Sequence, residues 1–362
     1  MNKPVKSIAF ITPYPLGQVA SQRFRFEQYF TILKKNGYQL TFFPFLNAGS
    51  ISILHSPGNR LDKSLMLLSG IWRRLKMLFA LGRVDYLFIH REIVPVGPPV
   101  FEWLISHLFK KKMIYDFDDA IWTTDRIKEP WFNKIVKWRR KVSKICKWSY
   151  KVSCGNDFLG DYARQFNKNV VINPTTIDTE FSHNPKLIKK DSSKDIIIGW
   201  TGSQSTLRYL NEIEVQLQEI ERKYNYVKTL VIANQKPRID LKRMEYISWE
   251  KSNEIVDLSK IDIGIMPLPN DEWTKGKCGF KALQYMAMEI PCIASNVGVN
   301  SEIIDHGETG FLATENNDWT ELLNKLINDQ NLRIQMGRKG RERVVEAYSV
   351  VSNTAKFLSL FE

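Results

Sequence analysis

Short apolar, β-branched runs alternate with amphipathic helical patterns along this chain, and the alternation lapses once and then restarts. SIAFITPYP is followed by SQRFRFEQYFTILKKNG, where Gly37 ends the helical pattern, and then by YQLTFFPF. A period of 2 that gives way to 3.6 and returns is a β-α-β opening. VDYLFIHRE, PPVFEWLISHLFKKK, KMIYDFDD, a basic helical stretch, KVSCGN, DFLGDYARQFN and VVINPTTID continue it. Strands separated by helices cannot pair as tight hairpins, so parallel sheets covered by helices are expected. Both periodicities fail in NPTTIDTEFSHNPKLIKKDSSKD (173–195), and a second series begins at DIIIGWTGS. We therefore expect a first domain at 1–176, a linker at 177–194, a second domain at 195–345, and a terminal helix at 346–362 packing back toward the first. The 362 residues suffice for two cores. Ligands of open parallel sheets collect beyond the carboxyl ends of the strands, so the expected fold class is α/β, with two parallel-sheet domains facing a cleft.

The four cysteines, Cys146, Cys154, Cys278 and Cys292, show neither CxxC pairing nor histidine companions, which excludes a zinc motif or a disulfide framework as the organising device. The apolar run before Pro13 is too short for a signal segment, and no stretch reaches transmembrane length, so a cytoplasmic location is expected. A net charge of +13 calls for an acidic partner. Nucleic acid is not expected, since no nucleic-acid-binding motif accompanies the charge. An anionic membrane face is a candidate. In KEPWFNKIVKWRRKVSKICKWSYK (128–151), Trp131, Ile135, Trp138, Val142 and Ile145 fall at helical spacing among lysines and arginines, including Lys134, Lys141 and Lys144, and IWRRLKMLFALGR (71–83) repeats the theme. Such a stripe can instead face a core and leave the lysines as a solvated surface; the sequence leaves both readings open.

KCGFKALQYMAMEIPCIAS (277–295) reads as a helix entered through a Gly- and Pro-punctuated loop and followed by a strand. Free N–H groups at a helix start, joined by Lys277 and Lys281, suit a phosphate, and a diphosphate better than a monophosphate. Two lysines at such a position can also be merely solvated.

Extended to KCGFKALQYMAMEIPCIASNVGVNSEIIDHGETGFLA, this stretch resembles the donor-sugar segment of retaining glycosyltransferases of family four, which have two Rossmann-like domains (the GT-B fold). The resemblance runs over nearly the whole chain. It implies transfer of a sugar, of hexosyltransferase type, from a nucleotide-diphosphate sugar to a glycan or lipid-linked acceptor with retained anomeric configuration, in surface polysaccharide or glycoconjugate synthesis. It implies no cofactor and no metal. Donor-binding roles then fall to Lys277, Gly279, Phe280, Lys281 and Gln284. Gln284 stands where the family's second Glu meets the ribose, and Gly276 where its first Glu meets the sugar. ITPYPLGQVASQRFRFEQY resembles the family's first loop and helix, which brings in Gly17 and Arg23 or Arg25. IIIGWTGSQSTLRYL resembles the first turn of the donor domain, which brings in Gly202, Ser203 and Thr206; helix capping is the competing role for the last two. His90, at a strand end where the family often has a functional His, is the implied catalytic residue. DFDDAIW carries Asp116, Asp118 and Asp119; a metal-binding DxD belongs to a different fold, and Asp118 and Asp119 are expected to orient an acceptor hydroxyl or an arginine. An epimerase or phosphorylase on the same fold, or a non-catalytic nucleotide-sugar-binding module, is the alternative.

Overall fold

The computed structural model describes residues 6–47, 49–50, 58, 60–124, 130–131, 136–188 and 195–362. They form two compact units, Met1–Thr175 together with Thr354–Glu362, and Thr176–Asn353.

The first unit is built on six parallel strands: β1 (Lys6–Thr12), β2 (Tyr38–Pro44), β3 (Tyr86–His90), β4 (Lys112–Phe117), β5 (Lys151–Cys154) and β6 (Val170–Ile172), in the order β2-β1-β3-β4-β5-β6. Every residue of β3 is buried, as is β4 after Lys112, which is why these strands are continuous apolar runs: helices cover both faces. The register sets His90 beside Asp116, and Asp116 beside Ser153, at the carboxyl ends of three adjacent strands. The chain end belongs to this core. Phe357 stacks on Tyr29 with ring centroids 4.1 Å apart, and Phe361 meets Tyr86 and Phe88.

The second unit repeats the plan with β7 (Ile196–Gly202), β8 (Val227–Ala233), β9 (Met244–Ser248), β10 (Ile263–Met266), β11 (Cys292–Ser295) and β12 (Phe311–Ala313), in the order β12-β11-β10-β7-β8-β9. Trp200 on β7 is buried among Leu210, Ile213, Leu217 and Ile265. The Phe280–Ala287 helix lies against β10 and β11. Gly264 permits that approach, because a Cβ there would sit 2.4 Å from the Tyr285 ring.

Two expectations change. Residues 177–188 are part of the second unit rather than a separate connection: Ile177 bridges to Ser349, and His183 is fully buried. The rest of the expected linker, 189–194, lies outside the described residues, as do Lys134 and Ile135. The continuous cationic helix expected through 131–148 is also divided. A helix spans Lys141–Trp148, and Trp138 before it has a left-handed φ of 45° that a helix cannot continue through. Val142 and Ile145 face the core, whereas Trp131 and Trp138 are exposed. Lys141 turns inward to Glu92 (2.5 Å) and the Val94 carbonyl (2.9 Å).

Candidate functional site

In the second unit, the end of β7 and the start of the Phe280–Ala287 helix are fastened together. Tyr285 Oη accepts the Thr201 N–H at 2.9 Å, two residues before Ser203. Burial pushes the Tyr285 phenol well above its usual range, so it stays neutral as that acceptor. Gly279 caps the helix with φ 64°, and a Cβ there would stand 2.1 Å from Ile303 Cδ1. Only glycine meets both demands. The Lys281 ammonium lies 5.2 Å from the centre of the Trp200 ring, and the Lys277 ammonium 4.8 Å from that of Trp273. Gly202, Lys281 and the Gly279 turn are thus gathered at one end of the sheet. Ser203 and Thr206 take the capping role: Thr206 Oγ1 accepts the Ser203 N–H at 3.2 Å and donates to its carbonyl at 3.0 Å.

One helical turn beyond Lys281, Gln284 is almost fully buried. Its Nε2 lies 3.2 Å from His183 Nε2 and 3.4 Å from Glu254 Oε1. An amide nitrogen only donates, so His183 Nε2 accepts; its proton is on Nδ1, facing Ser182 Oγ at 3.1 Å. Rotating the amide by 180° would set its oxygen against the Glu254 carboxylate. Sequence reasoning missed both partners. His183 lies in the stretch read as a linker, and Glu254 in a short helix without a motif. A cavity of about 310 Å³ on this unit, bordered by Asn296, His306 and Lys325, contains none of these side chains.

In the first unit, His90 and Asp116 form a buried pair, Nδ1 to Oδ2, at 2.8 Å. Asp116 also accepts from Ser153 Oγ (2.6 Å) and pairs with Arg25, whose guanidinium donates in addition to the Asn173 carbonyl. Burial alone would raise the Asp116 carboxyl; the Arg25 charge and then the His90 bond overcome it and hold the group well below the usual carboxylate range. Arg25 is therefore committed to Asp116 and unavailable for a phosphate. His90, the catalytic residue that the resemblance implies, has a ring with no exposed surface, 5.4 Å from that of Phe26, and its Nε2 is buried without a hydrogen-bond partner among the described residues. Asp118 and Asp119 clasp an arginine: Arg91 donates to Asp118 Oδ1 at 2.8 and 3.0 Å and to Asp119 Oδ2 at 2.6 Å. Although burial opposes its charge, the two carboxylates raise the Arg91 pKa. The Gly17 N–H, at a φ of 77°, is taken by Glu27 Oε2 at 2.8 Å, and the half-buried Arg23 packs over the Phe24 ring. Among the described residues no group of three or more His, Cys, Asp or Glu side chains could hold a metal ion.

Residues 242–343, which contain Glu254, the Gly279 turn and Gln284, match the family model described as glycosyl transferases group 1. The match lies inside the second unit. Among curated proteins, the chain is 26% identical over 166 residues to the capsular polysaccharide biosynthesis glycosyltransferase CapM of Staphylococcus aureus, an alignment covering 43% of each chain. The chain spans less than half the length of the curated relatives it matches. Among solved structures, the sucrose-phosphate synthase of Thermosynechococcus elongatus superposes with a TM-score of 0.69 at 14% identity, covering 98% of each chain. Anabaena Alr3699/HepE, solved in complex with UDP and glucose, gives 0.64 at 12% identity, covering 98% of this chain and 99% of that one. These likenesses show the fold, GT-B with two Rossmann-like sheets.

Proposed function

We propose that this chain is a glycosyltransferase that moves a hexosyl group from a nucleotide-diphosphate sugar to a glycan or lipid-linked acceptor, with retention, in surface polysaccharide or glycoconjugate synthesis. The observation that carries this reading is the junction of Gly202, Gly279 and Lys281 at one end of the second sheet, inside a unit whose residues 242–343 match the family model. The donor diphosphate takes the helix start, with backbone N–H groups and the Lys281 and Lys277 ammonium groups around it. The carboxamide oxygen of Gln284, whose nitrogen is engaged by His183 and Glu254, accepts from a ribose hydroxyl. As the bond from the anomeric carbon to the phosphate oxygen breaks, negative charge grows on the leaving diphosphate, and the same cations stabilise it. The acceptor oxygen bonds to that carbon on the face the phosphate leaves, and its proton passes to a phosphate oxygen.

The test is a thermal-shift panel of nucleotide sugars, beginning with UDP-glucose because HepE was solved with UDP and glucose. Lys281→Ala is expected to weaken donor affinity about 10- to 100-fold, the worth of one charge-assisted contact, and Lys277→Ala less. Unchanged affinity in both variants removes the phosphate assignment. Nucleoside diphosphate released only when acceptor is added supports transfer; release without acceptor, or epimerised donor, supports the alternatives. Gly279→Ala is expected to lower stability and donor binding together by about 1–3 kcal/mol, read by denaturant melts and calorimetry, because it strains φ and crowds Ile303.

A further inference from the structure

The Arg60–Ala80 helix carries an apolar stripe on its outside. Leu61, Leu65, Leu68, Trp72, Leu75 and Phe79 follow one another at intervals of four and three residues, and all are exposed, from 40% at Leu75 to 92% at Phe79. Their spacing keeps them on one face for about 27 Å.

The stripe cannot rotate inward. On the opposite face Gly70 lies against Phe45 so closely that a Cβ would fall 2.3 Å from the ring. Two turns of rotation-sensitive contacts follow: Arg74 is fully buried and donates to the carbonyls of Thr12 (2.8 Å), Phe43 (2.5 Å) and Ile93 (2.8 Å), and Met77 is buried below it. Burial lowers the Arg74 pKa to about 9, so this anchor stays charged at neutral pH. The outward face is therefore fixed by what the inward face must hold.

Lysines lie on the stripe and on a helix of the same sheet face. Lys76 sits 5.4 Å from the Trp72 ring centre, on the stripe itself. The connections β2 to β3, β3 to β4 and β4 to β5 all step the same way across the sheet. Right-handed crossovers then put their helices on one face of it. The second of these helices, Val100–Trp103 with the turn Leu104–Leu108, exposes Trp103 and Leu108; the third, Lys141–Trp148, exposes Lys144 and Lys147, and His107 meets Trp148 edge-on at 5.4 Å. Aromatic and aliphatic anchors within a cationic field suit an anionic lipid surface. A second copy of a chain with net charge +13 would bring like charges together along the same stripe. No helix among the described residues is long and apolar enough to cross a membrane.

We infer that this face of the first unit docks on an anionic bilayer, with the Arg60–Ala80 helix lying in the interface. The inference stands independently of the transferase reading. The test is co-sedimentation of the full chain with phosphatidylglycerol-containing and with pure phosphatidylcholine vesicles. Binding to the anionic vesicles is expected, falling about tenfold or more in Leu68→Gln/Trp72→Gln/Phe79→Gln, and falling with loss of anionic preference in Lys76→Gln/Lys144→Gln/Lys147→Gln. None of the six side chains is buried, so melting temperature and the nucleotide-sugar thermal shift should stay at wild-type values, which separates this test from that of the donor site. No binding to anionic vesicles at low salt, binding unchanged in the apolar triple variant, or a dimer that this variant dissolves while vesicles are ignored would each overturn the inference.

Discussion

Asp116→Asn should lower the stability of the first unit by about 3–5 kcal/mol at neutral pH, because it removes the charge that compensates a fully buried Arg25 while leaving the arginine in place. Asparagine keeps the shape and can still accept from Ser153, so the loss reports the charge. For a unit of this size it corresponds to a drop in melting temperature on the order of 10 °C. The sign with pH follows from the depressed Asp116 carboxyl. A carboxyl held lower in the folded than in the unfolded chain contributes fully above its unfolded value of about 4 and loses that contribution as pH falls toward the folded value. The gap between wild type and variant should therefore be widest near pH 7 and narrow below about pH 4. Urea melts across that range read it directly. A gap absent at neutral pH would mean that Asp116 and Arg25 do not hold each other.

The first unit shows what the sequence could and could not disclose. Its strands were legible because a parallel strand covered on both faces must be an apolar run, as YLFIH and MIYDF are. The His90–Asp116–Arg25 network was not. It depends on β3–β4 register and on an arginine 91 positions from its partner, and neither leaves a local pattern. The Arg60–Ala80 helix is apolar on more than one side, so periodicity alone could not choose its inward face; Gly70 and Arg74 choose it. In the second unit the Gly279 turn was legible as a glycine between a loop and a helix. The partners of Gln284 were hidden because His183 is buried from a stretch rich in Asn, Pro, Ser and Thr, where neither period 2 nor period 3.6 is present.

Gln284→Glu should cost about 3 kcal/mol of stability at pH 7, although resemblance alone suggests that the carboxylate would be retained or favoured there. In this chain Glu254 already brings a carboxylate oxygen within 3.4 Å of the Gln284 amide nitrogen. A glutamate at 284 replaces that donor with a second buried negative charge, and it also faces His183 Nε2, the acceptor that the amide satisfied. Two carboxylates so close cannot both ionise cheaply, so one must take up a proton or His183 must become charged. An acid whose folded value is raised this way penalises the fold above that value, and the penalty fades as pH falls through it. Stability of the variant should therefore approach wild type under mildly acidic conditions. Exchanging the two groups, Gln284→Glu with Glu254→Gln, keeps one carboxylate and one amide and should recover most of the loss along with the donor-induced thermal shift. Equal melting of Gln284→Glu and wild type at neutral pH would show that Glu254 and Gln284 do not share this site, and a double variant no better than the single one would show that the amide must be at 284.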